Sequence, residues 1–460
     1  DHLPELPRPS IPSWRQAWGF LTKPFDLISK ARAECGDLFL LDLPGQPMAM
    51  VCSADMLREI YKYSEADVVA GEIRGKLLPG IVGDTASISL EGAEFKRRRK
   101  AITPYLSGRW VDDLVPTIRH RVEEAIAEWQ PEATFAAQPS LDQISRRVTL
   151  RILLGELPED EMARVDRLAH RYLEAFEWRT VQTPPLRRHL GPWSPWTRFQ
   201  KRRRQLMDEF ARQLRARIAS DDMGDSLLVG LWNEYHAGLD DDALEILIVD
   251  ELIAVLVGGS ETTSKALGWT LRGLLSTPAA VERLRAEIDA VLGDRGVEYA
   301  DLSRMPYLDA VVQEGLRHQS VGPFAGPRLT KRDIAVGGYK IPAGTVVAQA
   351  LHEVGRSDLF PDAETFDPDH FHGRGVQQRD WVPFGGGLRK CGGMGLALNE
   401  LSTAVVTILQ RTELALGPGS TEPVQAGIAH KPKNSLQVRF AGPRACPVVA
   451  DQSAAEAAGG

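Results

Sequence analysis

Apolar residues recur at helical spacing through most of the stretch from residue 92 to about 317, with long periodic runs at 111–129, 196–218, 240–274 and 279–292. Short β-like runs stand near the start, at 37–43 and 48–51, with Pro44 and Gly45 between them as turn residues, so a hairpin is expected. Strand and turn signals return at 333–350, where GGYKIPAGT sets glycines and a proline between two β runs. One more helix is expected from just after Cys391 to about residue 410. The pattern therefore predicts a mainly α fold with small β-sheets formed from the two ends of the sequence. No linker, repeat or shift of composition breaks residues 20–440, so a single large domain over 21–447 is expected. A proline-rich, acidic segment (1–20) should precede it in extended form, and a small, polar tail (448–460) should be disordered.

Composition narrows the class. The chain has 460 residues, 43% apolar and 25% charged, enough to bury a large core. Net charge is 55 minus 62, or −7, which argues against nucleic-acid binding despite local basic runs at 96–100 (KRRRK) and 201–204 (KRRR). The most apolar run, 246–257, is interrupted by Asp250 and Glu251 and reads as a buried helix, so no membrane anchor is expected. Cys35, Cys52, Cys391 and Cys446 are too scattered for a disulfide framework and form no CxxC pair, which fits a soluble cytoplasmic protein.

The most informative segment is 384–397, FGGGLRKCGGMGLA. Its glycines let the backbone turn through positive φ and approach a flat ligand without a Cβ in the way. Cys391 then opens a helix, where free N–H groups favour a thiolate, a good iron ligand. Arg389 lies within reach of an anionic group beside the sulfur. A phosphate loop would want Lys-Ser/Thr after its glycines, and none is present. A structural cysteine would not need Phe384, Gly387, Arg389 and Gly393 at fixed offsets. A cysteine hydrolase stays open as long as a histidine could approach Cys391 in space. The segment resembles, at every defining position, the haem-binding signature of the cytochrome P-450 family. That resemblance implies haem b, with Cys391 as the axial ligand of the iron.

Further segments carry the same resemblance. Glu314-Gly-Leu-Arg317 places an acid and a base on one helix face. It resembles the family's Glu-x-x-Arg, an ion pair that buttresses the thiolate loop. The usual third member is an arginine; here the matching stretch is Asp367-Pro-Asp-His370-Phe371, and a neutral imidazole at His370 would leave the network weaker and sensitive to pH. Gly258-Gly259-Ser260-Glu261-Thr262 resembles the family's oxygen-activation motif. Two glycines inside a helix cost about 1 kcal/mol each relative to alanine, so some function must offset them. The glycines would let the helix pass close over a haem, while Glu261 and Thr262 supply the carboxylate and alcohol for proton delivery. Arg328 and Arg99 resemble the family's other propionate-binding arginines. Where the family has His or Trp four residues before Arg99, this chain has Phe95, which donates no hydrogen bond. Phe95→His is therefore expected to raise haem retention or shift the reduction potential.

The resemblance implies a monooxygenase that inserts one oxygen atom of O2 into a C–H bond. About 70 residues follow Cys391, too few for a flavin domain, so electrons should come from a ferredoxin or flavodoxin with its reductase, docking near Lys96, Lys100 and Lys390. Substrate contacts are expected along 73–88 (Ile73, Ile81), in 177–196, at Val257, at Val321, Phe324 and Ala325, and at Ile428 and Ala429. These positions are largely apolar and suit a terpenoid, steroid or fatty acid, with Arg74 or Arg187 as a candidate for a substrate carboxylate. A monomer is expected. The alternatives are a peroxide-driven peroxygenase, against which the Glu261–Thr262 pair argues, and a non-catalytic haem sensor, for which no switch domain is visible.

Overall fold

A computed structural model of the chain describes residues 3–444 apart from 79, 190, 221–222 and 420–421. Helices make up the body, and the periodic runs fall where expected: Pro195–Ser220, Pro278–Leu292 and Met394–Arg411. The run at 111–129 divides into Arg109–Asp112 and Val115–Ala127, with Pro116 starting the second helix where its missing N–H costs nothing.

The central helix begins at Asp241–Leu256, where Asp240 caps the Ala243 N–H and Asp241 and Asp242 complement the helix dipole. It is apolar almost all round and is buried accordingly. Its two interior acids are both paired. Asp250 accepts from the Thr85 N–H and hydroxyl and faces Arg203; Glu251 accepts from the Ser87 N–H and hydroxyl and from Arg98. The helix then widens into a π-helical turn at Val257–Glu261 before resuming as Thr262–Leu275. Serine and threonine hydroxyls satisfy carbonyls there: Ser260 donates to Leu256 O and Thr262 to Gly258 O, each at 2.6 Å.

A five-stranded sheet joins the two ends of the sequence. Leu38–Leu41 pairs antiparallel with Met48–Val51, as the hairpin signal requires. Met48–Val51 then runs parallel to Val346–Gln349, which is followed in the sheet by Ala325–Thr330 and Val68–Val69. A hairpin of Pro423–Ala426 and Ala429–Pro432 comes from the far C-terminal part.

The expected extended form of residues 1–20 holds only in part, because Ser13–Thr22 is a helix. Its prolines all precede the first turn, and Gln16 and Phe20 turn inward to give it a packing face. Ahead of it, Glu5 bridges to Lys340. The 448–460 tail and Cys446 lie outside the described residues. Among the described residues no helix is long and apolar enough to cross a membrane.

Candidate active site

The cysteine loop is built by its glycines. Gly385 and Gly387 adopt φ of +66° and +65°, and Gly387 packs against the backbone of Tyr61, where a side chain would crowd the Tyr61 carbonyl. The turn closes with the Cys391 N–H donating to Phe384 O at 2.9 Å. Cys391 does not itself open the following helix, which begins at Met394 after two intervening glycines. The sulfur is served instead by the Gly393 N–H. Burial pushes the thiol up, while that N–H and the charges of Arg99, Arg74 and Lys390 pull it down. A coordinated metal ion would deprotonate it outright. The thiol nevertheless has solvent-accessible surface, so it borders a recess. Among the described residues no histidine side chain acts on the Cys391 thiol, as the hydrolase alternative would require.

Four arginines gather beside the thiol. Arg99 reaches Lys390 O at 2.8 Å; Arg328 donates to Gly326 O and Gly386 O and lies over the Tyr61 ring. Arg389 bonds Glu91 and Leu90 O through one nitrogen, whereas its Nε and Nη1 are buried without partners. Arg74 belongs with them. Burial and the like charges of Arg328 and Arg389 lower it to about 10, against the opposing pull of Cys391 and Glu91. Such crowding of guanidinium groups, two of whose donors are orphaned, is the arrangement that a dianionic ligand relieves. The donor set therefore fits the two propionates of a haem, and Arg74 stands within it. Arg187, the other candidate, is placed by no contact at this cluster. Phe95 is not an idle replacement: the Arg389 guanidinium stacks on its ring at 3.5 Å.

The ion pair expected to buttress this loop is fully buried. Glu314 and Arg317, both 0% exposed at the side chain, form a two-pronged pair at 2.6 and 2.7 Å. Arg317 also donates to Gly355 O, Ala363 O and Thr365 O, and Glu314 accepts from the Asp367 N–H. His370 completes the network, but not as the neutral ring expected. Its Nδ1 faces Glu314 at 3.2 Å and its Nε2 faces Pro361 O at 2.6 Å, so both nitrogens meet acceptors and both need protons. Burial opposes that charge, yet Glu314 and Pro361 O outweigh it and raise His370 above the usual histidine value.

At the π turn the two motif glycines part company. A side chain at Gly258 would enter open space. Gly259 instead packs against Thr149 of the helix Gln138–Leu154, where a side chain would crowd the threonine. Glu261 is buried beside Lys265, and Thr262 holds Gly258 O.

Of the expected substrate contacts, Ile81, Val257 and Ile428 come together around a small apolar pocket next to Glu261. Tyr172, Leu173 and Phe176, from or just past the helix Glu159–Glu174, complete it. Those three were missed because an amphipathic helix shows its apolar face without showing what that face meets. The other expected positions are placed by contacts within the protein. Ile73 packs into the core beside the five-stranded sheet, Phe324 stacks on Phe20, Ala325 pairs with Gln349, and Val321 O accepts the His430 N–H. Ala429 is buried in the hairpin opposite Ala426. A cleft of about 1870 Å³ lies between the first helix, the central helix and the C-terminal hairpin; Glu261 lines it and Cys391 does not.

A thiol loop, clustered arginines and a π-distorted helix carrying an acid and an alcohol define the class of haem-thiolate oxygenases. A family model of cytochrome P450 matches residues 4–438, and the chain belongs to that family. It is a monooxygenase that binds haem b through a cysteine thiolate. Among curated relatives, a cyclooctat-9-en-7-ol 5-monooxygenase of Streptomyces melanosporofaciens is 28% identical over 431 residues, covering 90% of each chain. A putative cytochrome P450 137 of Mycobacterium tuberculosis is 27% identical over 400 residues, 85% of this chain and 80% of the relative. The solved structure of retinoic acid bound cyanobacterial CYP120A1 superposes with a TM-score of 0.80 at 24% identity, covering 95% of this chain and 99% of that one, and attests the fold.

Proposed function

We propose that Cys391 is the haem ligand, that Arg74, Arg99, Arg328 and Arg389 hold the propionates, and that the substrate is a largely apolar molecule such as a terpenoid, steroid or fatty acid. The observation that supports the substrate class is the run of apolar side chains, Ile81, Leu173, Phe176, Val257 and Ile428, that with Tyr172 surrounds a space of about 10 Å³ beside Glu261. The relative named for cyclooctat-9-en-7-ol supports a substrate that is mostly hydrocarbon.

When bound, haem would activate O2, one atom of which enters the C–H bond while the other leaves as water with two electrons and two protons. The residues supply the rest. The Thr262 hydroxyl, which donates to Gly258 O in the resting helix, would turn its proton toward O2, and Glu261 would replenish it. The apolar lining excludes water from the substrate side. Electrons come from a ferredoxin or flavodoxin: Lys96, Lys100 and Lys390 are exposed, and Arg99 ties the helix Gly92–Leu106 to the cysteine loop through Lys390 O. The acid–alcohol pair supports this reading over a peroxygenase.

Titration of the ferric, haem-loaded protein with terpenoids, steroids and fatty acids, followed by the Soret band, tests the substrate class. A saturable shift with one of them is expected. Binding of polar compounds alone would overturn it.

A further inference from the structure

Lys265 is a cation in the interior, 2% exposed, one turn beyond Glu261 on the central helix. Its Nζ donates to Glu261 Oε1 at 3.3 Å and to Asp142 Oδ1 at 2.9 Å. Removing an ammonium from water is expensive unless its partners are well placed. Here one ammonium serves two carboxylates, from the central helix and from the helix Gln138–Leu154. The Glu261 carboxyl in turn fills the space over Gly427, which has a φ of +62° and whose position would overlap Glu261 Oε2 if it carried a Cβ. This carboxyl borders the 1870 Å³ cleft, whose wall also carries Asp142, Arg146, Asp166, His170 and Lys265. Thr262, the next residue, is engaged with Gly258 instead.

We propose that Lys265 is a positioning residue for Glu261. Shared between Glu261 and Asp142, it holds the Glu261 carboxyl over Gly427 and toward the cleft, so that protons reach the Glu261–Thr262 pair from cleft water. This rests on the reading of that pair as the proton-delivery machinery. A proton passes from cleft water to the Glu261 carboxylate and onward to the Thr262 oxygen as that oxygen gives up its own to the O2 being reduced, whose second atom leaves as water; Lys265 keeps its charge throughout. The groups around Glu261 act with known signs: burial raises it, Lys265 opposes, Asp142 adds, and Arg146 opposes. From the helix Glu159–Glu174, the Tyr172 phenol feels the Glu261 charge. The hairpin presents Gly427 and, along the cleft, His430 and Lys431.

A pH titration of the haem-loaded protein by difference infrared spectroscopy reads this directly, with the Glu261 band identified by its loss in Glu261→Gln. In Lys265→Met the midpoint should rise by about one unit or more, the usual size of an opposite charge at this range. In Asp142→Asn it should fall, because the lysine charge then acts on Glu261 alone. Lys265→Arg should return both the midpoint and the solvent isotope effect on reductant consumption toward wild type. Midpoints that do not move, or that move the same way in both variants, overturn the proposal. Should Lys265→Met fail to fold, Asp142→Asn decides alone: a fall supports the role and no change overturns it. A thiolate-type carbon monoxide spectrum alongside an unmoved Glu261 band would sink only the role of Lys265, leaving the monooxygenase reading intact.

Discussion

Replacing His370 by leucine removes both donors that this ring brings to the buttress of the cysteine loop, leaving Pro361 O without its partner and Glu314 short of one. Glu314 is completely buried and His370 nearly so, so water cannot take over without opening the packing. A charge-assisted hydrogen bond is worth about 1.5–3 kcal/mol, and a stranded acceptor adds to the loss, so a cost of about 2–4 kcal/mol is expected. The same loss can be approached by pH alone. Because the folded pKa of His370 lies above its unfolded value, its contribution is full below the unfolded value of about 6.5 and disappears as pH rises through the raised folded value. Glu314 works on the acid side: burial raises it, but Arg317 and His370 overcome this and depress it, so its contribution is lost as pH falls through that depressed value. Urea unfolding followed by Soret absorbance across this range should show wild type well above His370→Leu near neutrality, with the gap closing as pH rises. A gap that stays constant, or widens with alkalinity, would refute the reasoning.

Other variants test other parts. Burial raises the Glu400 carboxyl to about 7 despite a bond from the Ser145 hydroxyl. Its contribution is therefore full below about 4.5 and lost as pH rises toward 7, up to about 3 kcal/mol, and Glu400→Gln should flatten that slope in the same unfolding assay. Phe95→Leu removes the ring under Arg389 and should speed haem transfer to an apo-globin acceptor about fivefold, on the order of 1 kcal/mol; an unchanged rate would show that the stacking is idle. Asp250→Asn should release the loop that it clamps, raising amide exchange at Thr85 and Ala86 about tenfold or more by mass spectrometry, for a loss of about 1–3 kcal/mol.

The fold class and the cysteine loop were legible because both are local. Helical periodicity is written into consecutive residues, and Phe384, Gly387, Arg389, Cys391 and Gly393 act within one turn of chain. What escaped depends on distance. Arg74 stands 317 positions from Cys391 and gave no local sign that it would join Arg328 and Arg389. The charge on His370 follows from Pro361 O and Glu314 meeting opposite nitrogens, a geometry that no motif records. Phe95 read as a missing donor because its partner, the Arg389 guanidinium, comes from the other end of the chain. Gly258 and Gly259 are neighbours in a motif, yet helical rotation turns one to open space and the other to Thr149.

The central claim is that Cys391 binds haem iron as a thiolate, and the carbon monoxide spectrum of the reduced, haem-loaded protein tests it most directly. The account predicts the red-shifted Soret band of a thiolate ligand in wild type, and its replacement by an ordinary haem band in Cys391→His. An ordinary band in freshly reduced wild type with haem incorporated, or a red-shifted band that survives in Cys391→His, would contradict it.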